Sequence, residues 1–215
     1  MTQTLRLTEI FFSLQGESNL VGLPTVFVRL TGCPLRCTYC DTAYAFEGGQ
    51  RWALPDILEK IASYGTQYVC VTGGEPLAQP NCIGLLSALC DQGYIVSLET
   101  SGALSVQDVD SRVHKVMDLK TPSSGEQQQN LWSNLDHLQK RDQLKFVVGS
   151  DQDFDWLESK VIQYDLVSRV SDVLVSPVYG DYPLERLAQR VLDSGARLRM
   201  QVQLHKLVWN DAQGK

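Results

Sequence analysis

Three cysteines lie within eight positions of one another in the stretch TGCPLRCTYCDT, at Cys33, Cys37 and Cys40. A disulfide uses two thiols, and a closed structural zinc site needs a fourth ligand, but the nearest histidine, His114, lies far along the chain. A catalytic zinc ion with three protein ligands is an alternative, although three thiolates would make it a poor Lewis acid. A [4Fe–4S] cluster on three cysteines leaves one iron open for a small molecule. The spacing favours such a metal centre over three unliganded thiols, which would be prone to oxidation on a loop.

Length and composition are those of an ordinary globular protein. The 215 residues suit a single domain, which we place at residues 1–215, with 43 % hydrophobic and 20 % charged residues. The net charge of −6 does not favour nucleic-acid binding, and no apolar stretch is long enough to span a membrane. The N-terminus MTQTLRLTEI lacks the pattern of a secretory signal. We therefore expect a cytoplasmic protein whose six cysteines stay reduced.

Strand-length apolar runs alternate with amphipathic, helix-like segments. The predicted strands are TVFVRL (25–30), YVCVT (68–72), YIVSLE (94–99), KVMDL (115–119), LKFVVG (144–149), DVLVS (172–176) and RMQVQ (199–203). The predicted helices are PDILEKIASYG (55–65), NCIGLLSALCDQG (81–93) and DYPLERLAQRVLDSG (181–195). This alternation predicts an α/β fold of βαβ units, which form either an open doubly wound sheet or a barrel. The preceding segment LRLTEIFFSLQGES predicts an extra strand, at a sheet edge or a dimer interface.

Polar loops follow most of the predicted strands. Besides the cysteine loop, they are TGGEP (72–76), ETSG (99–102), DLKTPSSGE (118–126) and SPVYGD (176–181). Parallel α/β folds carry their chemistry at the carboxyl ends of the strands, so these loops should share one edge. That edge would suit one large polar ligand or several smaller ones.

The segment CPLRCTYC resembles the cysteine signature of the radical S-adenosylmethionine superfamily. The resemblance implies a [4Fe–4S] cluster on the three thiolates, with S-adenosylmethionine on the fourth iron. One electron would then cleave the sulfonium to give a 5′-deoxyadenosyl radical. It also implies a partial (β/α)6-type barrel with mostly parallel strands and the extra N-terminal strand. The segment TGGEP resembles the second motif of that superfamily, although Glu75 would equally suit a charge beside the N-cap of the next helix.

Several further stretches narrow the resemblance, which runs from residue 8 to about residue 209. FFSLQGES, VFVRLTGCPLRCTYCDT, DLKTPSSGE, SPVYG and QLHK together resemble the 7-carboxy-7-deazaguanine synthase family of queuosine and deazapurine biosynthesis. The family implies a lyase that contracts the ring of 6-carboxy-5,6,7,8-tetrahydropterin and releases ammonia. It also implies Mg²⁺ at the substrate carboxylate, a homodimer, and flavodoxin or ferredoxin as electron donor.

The resemblance assigns a role to each residue at a matching position. Cys33, Cys37 and Cys40 would hold the cluster, and Thr42 would bind Mg²⁺, although Asp41 and Thr42 also suit a turn. The expected substrate contacts are Leu14, Gln15, Gly16, Glu17, Arg29 and Thr72. Alternatively, QGES is a turn, and Arg29 forms a salt bridge with Glu17 or Glu99.

The expected S-adenosylmethionine contacts are Tyr39, Asp41, Gly74, Glu99, Ser101, Lys120, Thr121, Pro122, Ser176, Pro177, Val178 and Tyr179. The loop after the fourth predicted strand departs from relatives that carry Ser-Pro-Lys, because this chain has Lys-Thr-Pro at 120–122. Some relatives use a C-terminal carboxylate at the substrate, a role that we do not extend to Lys215.

The remaining cysteines are predicted to be core thiols. Cys70 lies within a strand, and Cys82 and Cys90 share one helical stripe with Leu86 and Leu89. His205 in QLHK would line the site or form a structural hydrogen bond.

Two other functions stay open. An activating enzyme of the same superfamily, which makes a glycyl radical on a protein partner, would share the cysteine spacing but should lack the QGE and CDT segments. A small iron–sulfur electron carrier would need a fourth cysteine ligand and would not need the polar loops.

Overall fold

The computed structural model describes residues 3–210 and 212–214, so Lys215 lies outside the described residues, as do the ends of the domain placed at 1–215. The described strands are β1 (Thr4–Leu14), β2 (Pro24–Leu30), β3 (Gln50–Ala53), β4 (Tyr68–Gly73), β5 (Ile95–Thr100), β6 (His114–Asp118), β7 (Gln143–Val148), β8 (Asp172–Pro177) and β9 (Leu198–Met200). The α-helices are α1 (Leu54–Ala62), α2 (Cys82–Asp91), α3 (Asp151–Tyr164), α4 (Leu166–Arg169), α5 (Leu184–Ser194) and α6 (Leu204–Trp209).

The strands form one sheet in the order β3-β1-β2-β4-β5-β6-β7-β8-β9. From β2 to β9 every neighbouring pair is parallel, whereas β1 pairs antiparallel with both β2 and β3. The sheet does not close, because β3 and β9 lie at opposite ends of this order. The predicted partial barrel of mostly parallel strands with an extra N-terminal strand is therefore confirmed. Of the two positions considered for that strand, β1 lies inside the sheet, and β3 covers its outer edge.

Successive residues of each strand point to opposite faces of the sheet. On β2, Val26, Val28 and Leu30 are buried in the hydrophobic core, whereas Phe27 and Arg29 line a large cavity on the other face. The same division recurs on the following parallel strands. The core face is therefore apolar, and the cavity face carries isolated polar side chains.

The helices pack their apolar faces on the outside of the sheet. Helix α1 begins beside Pro55 and buries Ile57 and Ile61. Helix α2 buries Cys82, Leu85, Leu86, Leu89 and Cys90, which confirms that its two cysteines are core thiols. None of the described helices is long and apolar enough to cross a membrane.

Four of the described strands and α-helices, β3, α3, α4 and α6, are not among the predicted elements, and one predicted strand is too long. Helix α3 begins after Ser150, whose Oγ accepts a hydrogen bond from Asp153 N, and buries Phe154, Leu157 and Val161. The short strand β3 was also not predicted. The last strand ends at Met200 rather than at residue 203, and the side chain of Gln201 bonds to the backbone of Ser18.

Candidate active site

A cavity of about 780 Å³ opens at the carboxyl ends of the parallel strands. Its wall contains every site residue expected from the sequence except Thr121 and Pro122. Thr121 is fully buried and donates a hydrogen bond to Val147 O at 2.8 Å, and Pro122 opens a short 3-10 turn. These two residues therefore support the loop after β6 from behind, while the neighbouring Lys120 lines the cavity.

The three cysteines lie on the loop after β2, half-buried and free, and all three line the cavity. Burial raises the pKa of Cys33 and of Cys37. No three His, Cys, Asp or Glu side chains among the described residues come together around a single ion. In a [4Fe–4S] cluster each thiolate ligates its own iron, so the thiolates need not meet at one point.

Neighbouring loops anchor the cysteine loop. Thr38 donates from its backbone N to Ser124 O at 3.0 Å and from its hydroxyl to Ser123 O at 2.6 Å. Arg36 donates from its backbone N to Glu126 Oε1 at 2.6 Å. The loop after β6 thus holds the cysteine loop on both sides of Cys37.

The glycine pair of TGGEP brings the end of β4 against this loop. A Cβ atom on Gly74 would lie 2.4 Å from Gly32 O and 2.7 Å from Cys33 Cβ. Gly74 N donates to Leu30 O at 3.2 Å. A larger residue at position 74 would displace the first cysteine, so the close approach requires glycine.

Glu75 is fully buried and joins the ends of β4 and β5. Its carboxylate accepts hydrogen bonds from Leu77 N at 3.0 Å, from Thr100 Oγ1 at 3.0 Å, and from Ser101 N and Oγ at 2.7 and 2.6 Å. The side chain thus caps the short 3-10 helix at Pro76–Ala78, in agreement with the capping alternative. It also fixes Ser101 at the cavity wall.

Arg29 pairs with a residue that the sequence reading did not consider. Its Nε donates to Glu9 Oε1 at 2.7 Å, and Tyr44 OH donates to the same oxygen at 2.9 Å. The guanidinium carbon lies 5.6 Å from the ring centroid of Phe11 and 5.7 Å from that of Tyr44. The predicted salt bridge of Arg29 with Glu17 or Glu99 is therefore wrong. Because Arg29 contacts Glu9 through Nε, the two terminal NH2 groups of its guanidinium can donate hydrogen bonds to a ligand in the cavity.

The Asp41–Thr42 pair lies beside the third cysteine. Thr42 Oγ1 donates to Asp41 Oδ1 at 2.8 Å, and Lys206 Nζ lies 3.4 Å from Asp41 Oδ2. Burial alone would raise the pKa of Asp41, but the hydrogen bond from Thr42 and the charge of Lys206 outweigh it and lower the pKa to about 2. The pair thus offers hard oxygen ligands with a fixed negative charge.

A group of charged side chains crosses the floor of the cavity. Lys145 Nζ contacts Glu17 Oε2 and lies 3.8 Å from Asp118 Oδ2, which is 3.2 Å from Lys120 Nζ. Burial raises the pKa of Glu99 to about 8, so this carboxyl holds a proton near neutral pH.

Several buried polar atoms around the cavity have no hydrogen-bond partner among the described residues. Those in its wall include Gln15 Nε2, Glu17 Oε1, Glu99 Oε1, Asp118 Oδ1 and Ser176 Oγ. Buried polar groups are rarely left unpaired, so these atoms fit a polar ligand that completes them. The half-buried thiols and the close glycine approach likewise fit an iron–sulfur cluster with a bound cofactor.

The wall also contains residues that the sequence reading did not assign to the site. Lys145 and Asp118 interrupt apolar strands in the same way as Arg29, and that signal could have identified them. His205 lines the cavity and packs against Gly16. Cys70 is buried as predicted, but it also reaches the cavity floor, and burial raises its pKa to about 12.

The partial parallel barrel and the cysteine loop at its carboxyl edge define an enzyme of the radical S-adenosylmethionine class, with a [4Fe–4S] cluster and S-adenosylmethionine as cofactors. The family model of the Radical SAM superfamily matches residues 27–120. A 7-carboxy-7-deazaguanine synthase of Chlorobaculum tepidum is 42 % identical over 214 residues, which cover 98 % of this chain and 97 % of the relative. One of Methanospirillum hungatei is 39 % identical, covering 95 % and 85 %. The chain belongs to the 7-carboxy-7-deazaguanine synthase family, which confirms the resemblance and does not favour a glycyl-radical activating enzyme.

Solved structures agree on the fold. QueE from Escherichia coli superposes with a TM-score of 0.72 at 23 % identity, covering 93 % of this chain and 94 % of that one. SuiB from Streptococcus suis, bound to its precursor peptide, superposes with a TM-score of 0.61 at 17 % identity, covering 83 % of this chain and 48 % of that one. Both structures therefore share the fold of this chain.

Proposed function

We propose that this protein converts 6-carboxy-5,6,7,8-tetrahydropterin to 7-carboxy-7-deazaguanine and releases ammonia. The observation that carries the proposal is the single cavity in which the cysteine loop faces Gln15, Glu17 and Arg29. Its volume of about 780 Å³ lies within the range of small-molecule sites, which is roughly 300–1,000 Å³. The family membership supports the same substrate.

The cofactor half of the site uses the cysteine loop and the ends of β4, β5 and β8. Cys33, Cys37 and Cys40 would hold the cluster, which with bound S-adenosylmethionine supplies a 5′-deoxyadenosyl radical to the substrate. Gly74 allows the end of β4 to pack directly against the first cysteine, and its backbone lines the cavity where the cofactor would bind. The unpartnered Ser176 Oγ offers a hydrogen bond to the cofactor from the opposite wall.

The substrate half uses the loop after β1 together with β2. A pterin ring presents both donors and acceptors, and Gln15 Nε2 and Glu17 Oε1 are a donor and an acceptor on one loop with no partner among the described residues. The fork of Arg29, held from behind by Glu9, suits the substrate carboxylate. Thr42 would bind Mg²⁺, which takes oxygen ligands and retains several waters. These groups orient the ring and its carboxylate toward the cofactor half.

The proposal extends to the surroundings of the enzyme. We expect one domain over residues 1–215, a homodimer, and flavodoxin or ferredoxin as the reductant, because the family resemblance implies the last two. We also expect a cytoplasmic location, which the six free thiols support because thiols stay reduced there.

The experiment uses anaerobically reconstituted protein with the tetrahydropterin substrate, S-adenosylmethionine, Mg²⁺ and a reductant. We expect a product with the mass of 7-carboxy-7-deazaguanine. Cys37→Ala should abolish product and S-adenosylmethionine cleavage and lower the iron content, whereas Cys82→Ala should retain all three, because Cys82 is a buried thiol of α2 outside the cavity. Cofactor cleavage without pterin conversion would overturn the proposal and favour the activating-enzyme alternative.

A further inference from the structure

Lys145 has no part in the function proposed above, yet it occupies the centre of the cavity floor. Its side chain is 9 % exposed and projects from β7, opposite the loop that carries Glu17. A buried ammonium is strongly unfavourable unless opposite charges surround it. The buried ammonium of Lys145 is therefore stabilised by the carboxylates around it, and it stabilises their negative charges in turn.

The charges around Lys145 are balanced. Burial alone would lower the pKa of Lys145, but the charges of Glu17 and Asp118 outweigh it and raise the pKa. Because Glu99 holds a proton near neutral pH, the charges of Glu17 and Asp118 offset those of Lys145 and Lys120. Removal of the ammonium would leave an excess buried negative charge on the floor.

Only one of the two carboxylate oxygens of Glu17 has a partner among the described residues. Its Oε2 contacts Lys145, and its Oε1 is buried with no partner among the described residues. Its backbone N donates to Gln15 Oε1 at 3.3 Å, and Gln15 Nε2 is likewise buried with no partner among the described residues. The loop therefore presents a donor on Gln15 and an acceptor on Glu17, and the described partner of the Glu17 carboxylate is the ammonium of Lys145.

We propose that Lys145 is a positioning residue, whose ammonium fixes Glu17 so that Oε1 accepts hydrogen bonds from the amino-pyrimidine edge of the bound ring. This inference rests on the proposed function, because it takes Glu17 as a substrate contact. Without Lys145 the carboxylate has no anchor for Oε2 and turns away from the ring. Removal of the Lys145 ammonium should therefore weaken pterin binding and leave cleavage of S-adenosylmethionine unchanged.

The test compares Lys145→Met, Lys145→Arg, Glu17→Gln and the double variant Lys145→Met/Glu17→Gln in the reconstituted holoenzyme. Binding of 6-carboxypterin, an oxidised analogue, gives Kd, and turnover of the tetrahydropterin gives KM and kcat. We expect Lys145→Met to raise Kd and KM by about 10- to 100-fold, as for the loss of a charge-assisted hydrogen bond. S-adenosylmethionine cleavage without pterin should stay within about twofold. Lys145→Arg should recover most of the affinity.

The double variant separates positioning from a general structural effect. If Lys145 acts through Glu17, Lys145→Met should change the Kd of the Glu17→Gln protein by less than about threefold. Lys115→Met is the matched control, since Lys115 is a second buried lysine, 3.0 Å from Asp142 and outside the cavity. It should lower stability and leave KM unchanged. Lys145→Gln carries the same expectation as Lys145→Met, should the latter fail to fold.

The outcomes separate the two proposals. A wild-type protein that neither binds nor converts the pterin overturns the proposed function and the inference with it. A wild-type protein that converts the pterin, with Lys145→Met and Lys145→Gln binding as tightly as wild type, overturns the role of Lys145 alone. Equal effects of Lys145→Met in the wild-type and Glu17→Gln backgrounds also contradict it.

Discussion

Replacing Glu75 with alanine should destabilise the whole protein, because this carboxylate joins two strand ends by hydrogen bonds alone. Glu75→Ala removes the acceptor of Ser101 N and Leu77 N, two backbone donors that cannot rotate away. The hydroxyls of Thr100 and Ser101 also lose their partner, but they can turn toward other acceptors. The cost is therefore set mainly by the two fixed donors.

A buried donor left unsatisfied costs about 1–3 kcal/mol, so two of them give about 2–6 kcal/mol. We expect a loss near 4 kcal/mol in the free energy of unfolding, a large part of the ~5–15 kcal/mol typical of a domain. A protein of this size loses about 2–4 °C of Tm per kcal/mol, so Tm should fall by about 8–16 °C. Glu75→Gln retains one acceptor oxygen and should cost roughly half as much.

The assay is urea and thermal unfolding of the unreconstituted protein, followed by circular dichroism. Glu59→Ala, a glutamate on the exposed face of α1, is the control and should leave Tm within about 2 °C. A loss below about 1 kcal/mol for Glu75→Ala would show that the donors find other partners and would refute the reasoning.

Two further predictions concern the cavity. Burial raises the pKa of Glu99 to about 8 from 4.5, so the folded state retains this proton when the unfolded chain has lost it. Stability should therefore fall as pH rises from about 5 to 8, by up to about 1.4 kcal/mol per pH unit, and Glu99→Gln should flatten that slope in urea unfolding; equal slopes would contradict the assignment. A Cβ on Gly16 would lie 2.1 Å from His205 Nδ1, so Gly16→Ala should displace α6, cost about 1–3 kcal/mol and weaken pterin binding. Unchanged Tm and Kd would show that His205 simply rotates.

The sequence predicted which segments lie together where they carry a rare residue pattern. The cysteine spacing, the glycine pair and the polar loops all lie around one cavity, because parallel strands place their carboxyl ends together. A charged residue within an apolar strand was recognised as significant at Arg29 but not at Lys145. Both follow from the same rule, since a barrel strand turns alternate residues inward.

The salt-bridge partner of Arg29 could not be predicted from the local sequence. Arg29 pairs with Glu9 because β1 runs antiparallel beside β2, in a register that places Glu9 opposite Arg29. The sequence left the position of β1 open between a sheet edge and a dimer interface, so this pair could not be predicted. Long-range pairing decides which of several nearby carboxylates neutralises a buried cation.

The segment that follows the last strand of the open barrel contacts the loop that follows β1. Beyond β9, Gln201 Oε1 accepts from Ser18 N at 2.8 Å and Gln201 Nε2 donates to Ser18 O at 2.6 Å. Leu204 N donates to Gly16 O at 3.0 Å. These bonds replace the strand pairing that a closed barrel would have, so the C-terminal segment holds the loop of Gln15 and Glu17 in place. The loop of Gln15 and Glu17 is therefore held from both sides, by Gln201 on its backbone and by Lys145 on the carboxylate of Glu17.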